Sequence, residues 1–213
     1  MMARWTIGLA ALAAVLASAT PAGAARYPAL FGTREVFSAD LAPFVKWTGV
    51  LARLRGDPIL AEGSCEAPAL NRCHAREWRT LVARLRGATP DTQLDAVNRF
   101  MNRAPYITDP RNYRVPDYWA SVRQFFTRDG DCEDYAIAKF VTLRALGWKD
   151  ADLRVVVLKD LNLKIAHAVL VAYRDGRAWM LDNQIDRVVD AATIRHYRPY
   201  YSINEEGWWL HRP

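Results

Sequence analysis

The N-terminal half of the chain repeats its apolar residues every three or four positions. Residues 41–55 put Phe44, Trp47, Leu51 and Leu54 on one side, and residues 76–86 do the same with Trp78, Leu81, Val82 and Leu85. Residues 92–103 follow Pro90-Asp91 and align Leu94, Val97 and Met101. This period predicts three amphipathic helices whose stripes face a core. A shorter helix is predicted around 118–126. Residues 104–116 hold Pro105, Pro110 and Pro116 and show no period, which predicts a loop and a candidate wall for a substrate cleft. Residues 135–146 are apolar on nearly every face. They predict a buried helix, with Gly147 as its C-cap.

Beyond residue 150 the helical period gives way to short apolar runs bounded by turn residues. Strands are predicted at 153–158, 166–173 and 178–182, with a short piece at Val188-Val189. Helices first and antiparallel strands after give an α+β architecture. Residues 197–209 are dense in aromatics and are expected to cover the core; an exposed patch for a partner is the alternative.

The start of the buried helix carries candidate chemistry. It reads Gly130-Asp131-Cys132-Glu133-Asp134-Tyr135. Asp131 is a good N-cap, and Glu133 and Asp134 place carboxylates near unpaired N–H groups. A thiol there gains from the helix dipole and free N–H groups, which favour a thiolate and can later hold an oxyanion. The competing account is an inert buried cysteine. Downstream, His167 and Asp182 flank Asp175-Gly176, a dipeptide that favours a tight hairpin between two apolar runs. With that turn Val169 faces Asp182, and His167 lies two residues further along the same face. His167 and Asp182 then become diagonal neighbours within side-chain reach. A slip of one residue would separate them. Cys132, His167 and Asp182 thus supply nucleophile, base and orienter. Asn183 is a weaker orienter because it faces the other side. The Cys132 N–H is one oxyanion donor, and Trp119 or Gln124 is a candidate for the second.

The run Gly-Asp-Cys-Glu-Asp-Tyr-Ala-Ile-Ala-Lys-Phe at 130–140, Leu-Arg-Ala-Leu-Gly at 143–147 and Ala-His-Ala-Val-Leu around His167 resemble the bacterial transglutaminase-like cysteine proteinases. Asn98, Asn102, Tyr106, Asp109, Asp117 and Trp119 are similar to the same pattern. The resemblance extends from about Cys65 to the C-terminus. It implies a papain/transglutaminase-like fold in which N-terminal helices and a catalytic helix pack on an antiparallel sheet, with Cys132, His167 and Asp182 as triad. It also implies a periplasmic, calcium-dependent protease that releases a large biofilm adhesin by cutting beside a pair of alanines, with an inner-membrane receptor as regulator.

Asp131, Glu133 and Asp134 surround Cys132 with negative charge, which opposes the thiolate. Helix capping explains one or two of them. A hard cation held by all three would remove the penalty, and Ca²⁺ takes several oxygen ligands. The resemblance implies the same ion, with Asp131 and Glu133 as ligands.

Arg4 followed by an apolar run from 7 to 17 and Ala22-Gly23-Ala24 reads as a signal peptide over residues 1–24. An uncleaved anchor is the alternative; the run is short for a membrane span. Export implies an oxidising compartment. Cys65 and Cys73 lie close together and suit a disulfide, leaving Cys132 as the odd thiol. A metal site of Cys65, Cys73 and His74 lacks a fourth ligand at suitable spacing. Residues 25–213 suit one domain. The net charge of +6 is spread over many arginines and comes with no nucleic-acid motif, so acidic partners or anionic surfaces are its expected use. Other thiol acyl-transfer enzymes, a transglutaminase or a cell-wall peptide amidase, use the same triad. A non-catalytic calcium-stabilised binding protein is the remaining class.

Overall fold

The computed structural model describes residues 27–56 and 74–213. The expected leader over 1–24, the Cys65–Cys73 pair and its metal alternative fall outside the described residues. Among the described residues six α-helices come first or between: α1 (Val45–Gly56), α2 (His74–Leu85), α3 (Pro90–Asn102), α4 (Asp109–Asn112), α5 (Val122–Arg128) and α6 (Cys132–Ala145). Seven strands are β1 (Arg34–Ser38), β2 (Leu153–Asp160), β3 (Ala166–Arg174), β4 (Arg177–Asp182), β5 (Ile185–Asp190), β6 (Tyr197–Ile203) and β7 (Trp208–Arg212). They form one antiparallel sheet in the order β1-β7-β6-β2-β3-β4-β5. The architecture is α+β, as the change of pattern predicts.

Helix α6 sits at the centre. Ile137, Ala138, Phe140 and Leu143 are buried, together with the inward positions of β2, β3 and β4: Val155, Leu170, Ala172 and Leu181. The amphipathic stripes of α1, α2 and α3 close over the same core. Two indoles anchor this layer. Trp47 donates to the Asn204 carbonyl at 2.9 Å and Trp78 to the Thr142 hydroxyl at 2.8 Å. The helix ends in a Schellman motif: Trp148 N–H reaches Leu143 O at 3.1 Å, Gly147 N–H reaches Arg144 O at 3.0 Å, and Gly147 has φ +96°. The other face of the sheet buries a smaller core of Val156, Leu158, Val169, Val171, Met180 and Tyr197.

Three expectations change. Helix α5 starts at Val122 rather than near 118, because Ser121 and Gln124 form a capping box. The loop over 104–116 contains one helical turn, Asp109–Asn112. The aromatic C-terminal stretch, expected as a covering, forms β6 and the first two residues of β7 within the sheet. Its alternation is broken where Val157 pairs with Tyr201 and Leu158 with Pro199, a register shift that loops out Tyr200. Proline has no N–H for the ladder, so a bulge absorbs it.

Candidate active site

Cys132 is the first residue of α6, and Asp131 takes the N-cap position. Gly130 makes this start possible. A Cβ there would lie 2.2 Å from Asp134 Oδ2, the oxygen that accepts the Asp131 N–H at 3.3 Å. Asp134 Oδ1 accepts from Ala120 N–H at 2.7 Å, so both its oxygens brace the segment before α5 against the start of α6.

The β2–β3 connection brings the second element. Asp160 Oδ1 accepts from the N–H groups of Asn162 and Leu163, which pins the turn. Strand β3 then carries Ala166, His167 and Ala168 into the same cleft as Cys132. The cleft has a volume of about 590 Å³, and Tyr106, Asp117, Trp119 and Glu133 are among its walls. Residues 104–116 therefore do line it, through Tyr106, Asp109 and Pro116.

The β3–β4 hairpin has the predicted register: Arg174 pairs with Arg177 and Leu170 with Leu181. His167 and Asp182 fall on one face, and His167 Nε2 lies 2.9 Å from Asp182 Oδ1. Asp182 Oδ1 also accepts from Gln184 N–H at 2.9 Å, and Oδ2 accepts from the Tyr197 hydroxyl at 2.7 Å. Burial alone would raise this carboxyl. The donors from His167, Gln184 and Tyr197 outweigh it and hold Asp182 below its usual range. As an ionised acceptor it takes the Nε2–H of the ring, which leaves Nδ1 for the cleft. Asn183 makes no contact of this kind. Gln124 is committed at both ends of its amide, to Ser121 N–H and to the Tyr118 hydroxyl, so it is lost as an oxyanion donor. Trp119 stays in the cleft wall.

The Cys132 thiol donates to Glu133 Oε2 at 3.2 Å. Burial, then the Glu133 charge, push the thiol far above its ordinary value, and the Ala168 N–H acts in the opposite direction. The acids are themselves strained by crowding. Burial pushes Glu133 up to about 8 and Asp109 up to about 6, and it raises Asp131 and Asp134 as well.

The structure divides the expected metal set. Carboxylate oxygens of Asp109, Asp131 and Asp134 lie within 4.8 Å of one another, and so do those of Asp109, Asp117 and Glu133. Asp109 is the shared pivot. The sequence showed it only as part of a family pattern. Its position becomes visible when Asp109 N–H bonds Asp131 Oδ2 at 3.2 Å. Two buried oxygens here, Asp109 Oδ1 and Asp131 Oδ1, accept no hydrogen bond from the described residues, which suits ligation by a cation.

Asn98 and Asn102, which the sequence showed only as part of the family pattern, support the end of β4. Asn102 donates to the Asp182 carbonyl at 2.9 Å, and Asn98 to the Ile185 and Asp186 carbonyls at 2.8 and 2.9 Å. Their spacing of four on α3 was the available signal. Lys139, fully buried on α6, has no hydrogen-bond partner for its Nζ among the described residues, and burial lowers it to about 7.

The family model of the bacterial transglutaminase-like cysteine proteinases matches residues 58–211. Among solved structures, Legionella pneumophila LapG is 36% identical, with 64% of this chain and 77% of that chain covered and a TM-score of 0.59. Its calcium-bound form aligns at 31% identity over 76% of this chain and 86% of that one, with a TM-score of 0.61. An EGTA-treated form aligns at 36% identity over 64% and 75%, with a TM-score of 0.59. No curated protein sequence matches.

Proposed function

This chain belongs to the bacterial transglutaminase-like cysteine proteinases, and from that premise we propose that it cleaves its protein substrate with Cys132 as nucleophile, His167 as base and Asp182 as orienter. The observation that carries the reading is the convergence of Cys132, at a helix start, and His167, bonded to Asp182 at 2.9 Å, on one cleft. His167 Nδ1 takes the thiol proton as sulfur attacks the carbonyl carbon, and returns it to the leaving amine; water then releases the acyl group by the same path. The Cys132 N–H is one oxyanion donor and Trp119 a candidate for the other.

The proposal includes Ca²⁺, held by Asp109, Asp131 and Glu133, with Asp117 at the rim. Asp134, whose oxygens already brace two backbone N–H groups, is the weakest member of the expected set. When bound, the ion supplies positive charge that offsets the carboxylates beside Cys132. The calcium-bound form of the Legionella relative supports this choice of ion. The enzyme is further proposed to work in the periplasm after loss of residues 1–24, as a single domain. Its proposed substrate is a large surface adhesin cut beside paired alanines, and an inner-membrane receptor is its proposed regulator. Ala166 and Ala168 flank His167 among the residues that line the cleft.

The test is mass spectrometry of products from a candidate adhesin N-terminal segment, with wild type and Cys132→Ala side by side. The expected result is a hydrolysed bond with wild type and intact substrate with the variant. Cleavage by folded Cys132→Ala, or deamidated or cross-linked glutamine in place of cleavage, would overturn it.

A further inference from the structure

Asp182 ends β4 at a two-residue connection to β5, where Asp182 pairs with Ile185 and the β4–β5 register shifts after Met180. An aspartate at such a strand end has two soft torsions and little regular ladder to restrain it. Only one orientation of its carboxylate gives His167 an aligned acceptor. Something must hold that orientation.

The Gln184 N–H in the connection itself holds Oδ1; the holder of Oδ2 comes from outside the hairpin. Tyr197 begins β6, which is separated from β4 in the sheet by β2 and β3. Its ring is buried on the same face as His167 and Asp182, with centroids of the Tyr197 and His167 rings 5.9 Å apart. Its hydroxyl donates to Asp182 Oδ2 at 2.7 Å, while Oδ1 receives His167 and Gln184. The two carboxylate oxygens are thus assigned to different partners, so the group is fixed about both torsions. We propose that Tyr197 is a positioning residue whose hydroxyl locks the Asp182 carboxylate, and through it keeps His167 as the Nε2–H tautomer with Nδ1 facing the cleft.

The direction of each bond is determined. Burial, then the Asp182 charge, raise the Tyr197 phenol, so the hydroxyl keeps its proton and can only donate to the ionised carboxylate. The other charges around the cluster fit this. Asp160 at the end of β2 acts on Tyr197 in the same sense as Asp182, and Lys139 from α6 favours an ionised Asp182. Without the hydroxyl, Asp182 Oδ2 is left buried and unpaired. The carboxylate then gains by rotating, and the Nε2–H bond is shared with other orientations. The inference rests on the proposed roles of His167 and Asp182 but not on Cys132 being the nucleophile.

The test uses the full chain labelled with ¹⁵N-histidine, in the Cys132→Ala background so that no thiol titrates beside the ring. Long-range ¹H–¹⁵N correlation at pH 8 reads the tautomer of His167, assigned by His167→Gln. The expected result is an almost pure Nε2–H tautomer with Tyr197 present, and a mixture with a substantial Nδ1–H share in Tyr197→Phe. Phenylalanine keeps the ring, so the fold survives, and a melting curve checks this. An unchanged tautomer in folded Tyr197→Phe, with or without a lower melting temperature, overturns the proposal by reducing Tyr197 to packing. Activity of Cys132→Ala measured separately decides the wider reading, so the two can fail independently.

Discussion

Glu133 Oε2 lies 3.2 Å from the Cys132 sulfur, so the residue next to the candidate nucleophile holds its proton. The same carboxylate belongs to the cluster with Asp109 and Asp117. A charge that opposes the thiolate is therefore also one that a cation would neutralise. Glu133→Gln removes the charge and keeps the shape. In EGTA its Cys132 should react with iodoacetamide faster than wild type, by about tenfold or more if roughly one pH unit of thiol shift is recovered. Peptide mapping by mass spectrometry follows the site. Equal rates in EGTA would show that Glu133 does not control the thiol.

Calcium binding should strengthen with pH. Glu133 is raised from 4.5 to about 8 and Asp109 from 3.8 to about 6. Between those limits the folded protein holds protons that the unfolded chain has lost, so calcium-free stability falls as pH rises through the window. Bound Ca²⁺ would displace these protons. Its gain in melting temperature should be larger at pH 8 than at pH 6, and larger than that of Mg²⁺. Melting curves in EGTA and in Ca²⁺ at the two pH values measure it. No calcium-dependent shift at either pH would remove the metal from the proposal.

Loss of His167 should cost more than loss of the Asp182 charge. His167→Ala removes the proton acceptor and should approach the Cys132→Ala level, since members of such a unit are not additive. Asp182→Asn leaves the ring in place but releases its tautomer, and should retain at least about tenfold more activity than His167→Ala. Turnover of a cleaved substrate compares them. The opposite order would make Asp182 more than an orienter.

Lys139 should carry a pH-dependent penalty. Its value falls from 10.5 in the unfolded chain to about 7 in the fold, because burial disfavours the ammonium. Between those values the unfolded chain holds the extra proton, so stability rises with pH across the window and the penalty is full below about 7. Lys139→Met keeps the volume and removes the charge. At pH 7 it should be more stable than wild type by a few kcal/mol, and the difference should shrink towards pH 10. Urea unfolding at both values tests this. A variant less stable than wild type at pH 7 would mean that Lys139 pays its burial cost through contacts with Asp182 and Asp186.

Much of the site could be read locally. The all-round apolar run of 135–146, the capping residues before it and Gly147 after it located the helix and put Cys132 at its start. The Asp175-Gly176 turn determined the hairpin register, and alternation then placed His167 with Asp182. Each of these depends on neighbours within one element or one tight turn. β1 and β6 were not legible. β1 is an edge strand of five residues with Val36 and Phe37 exposed, and the alternation of β6 is interrupted by Pro199.

Caps, apolar runs and turn geometry act over a few residues, which is why the candidate nucleophile, base and orienter and the elements that carry them could be read along the chain. Their surroundings come from long-range packing. Asp109 meets Asp131 across 22 positions of chain, Tyr197 meets Asp182 across 15, and Asn102 meets the Asp182 carbonyl across 80. No local pattern encodes those distances. They follow from how α3, α4 and β6 pack around the start of α6 and the end of β4, where burial turns ordinary polar side chains into obligatory partners.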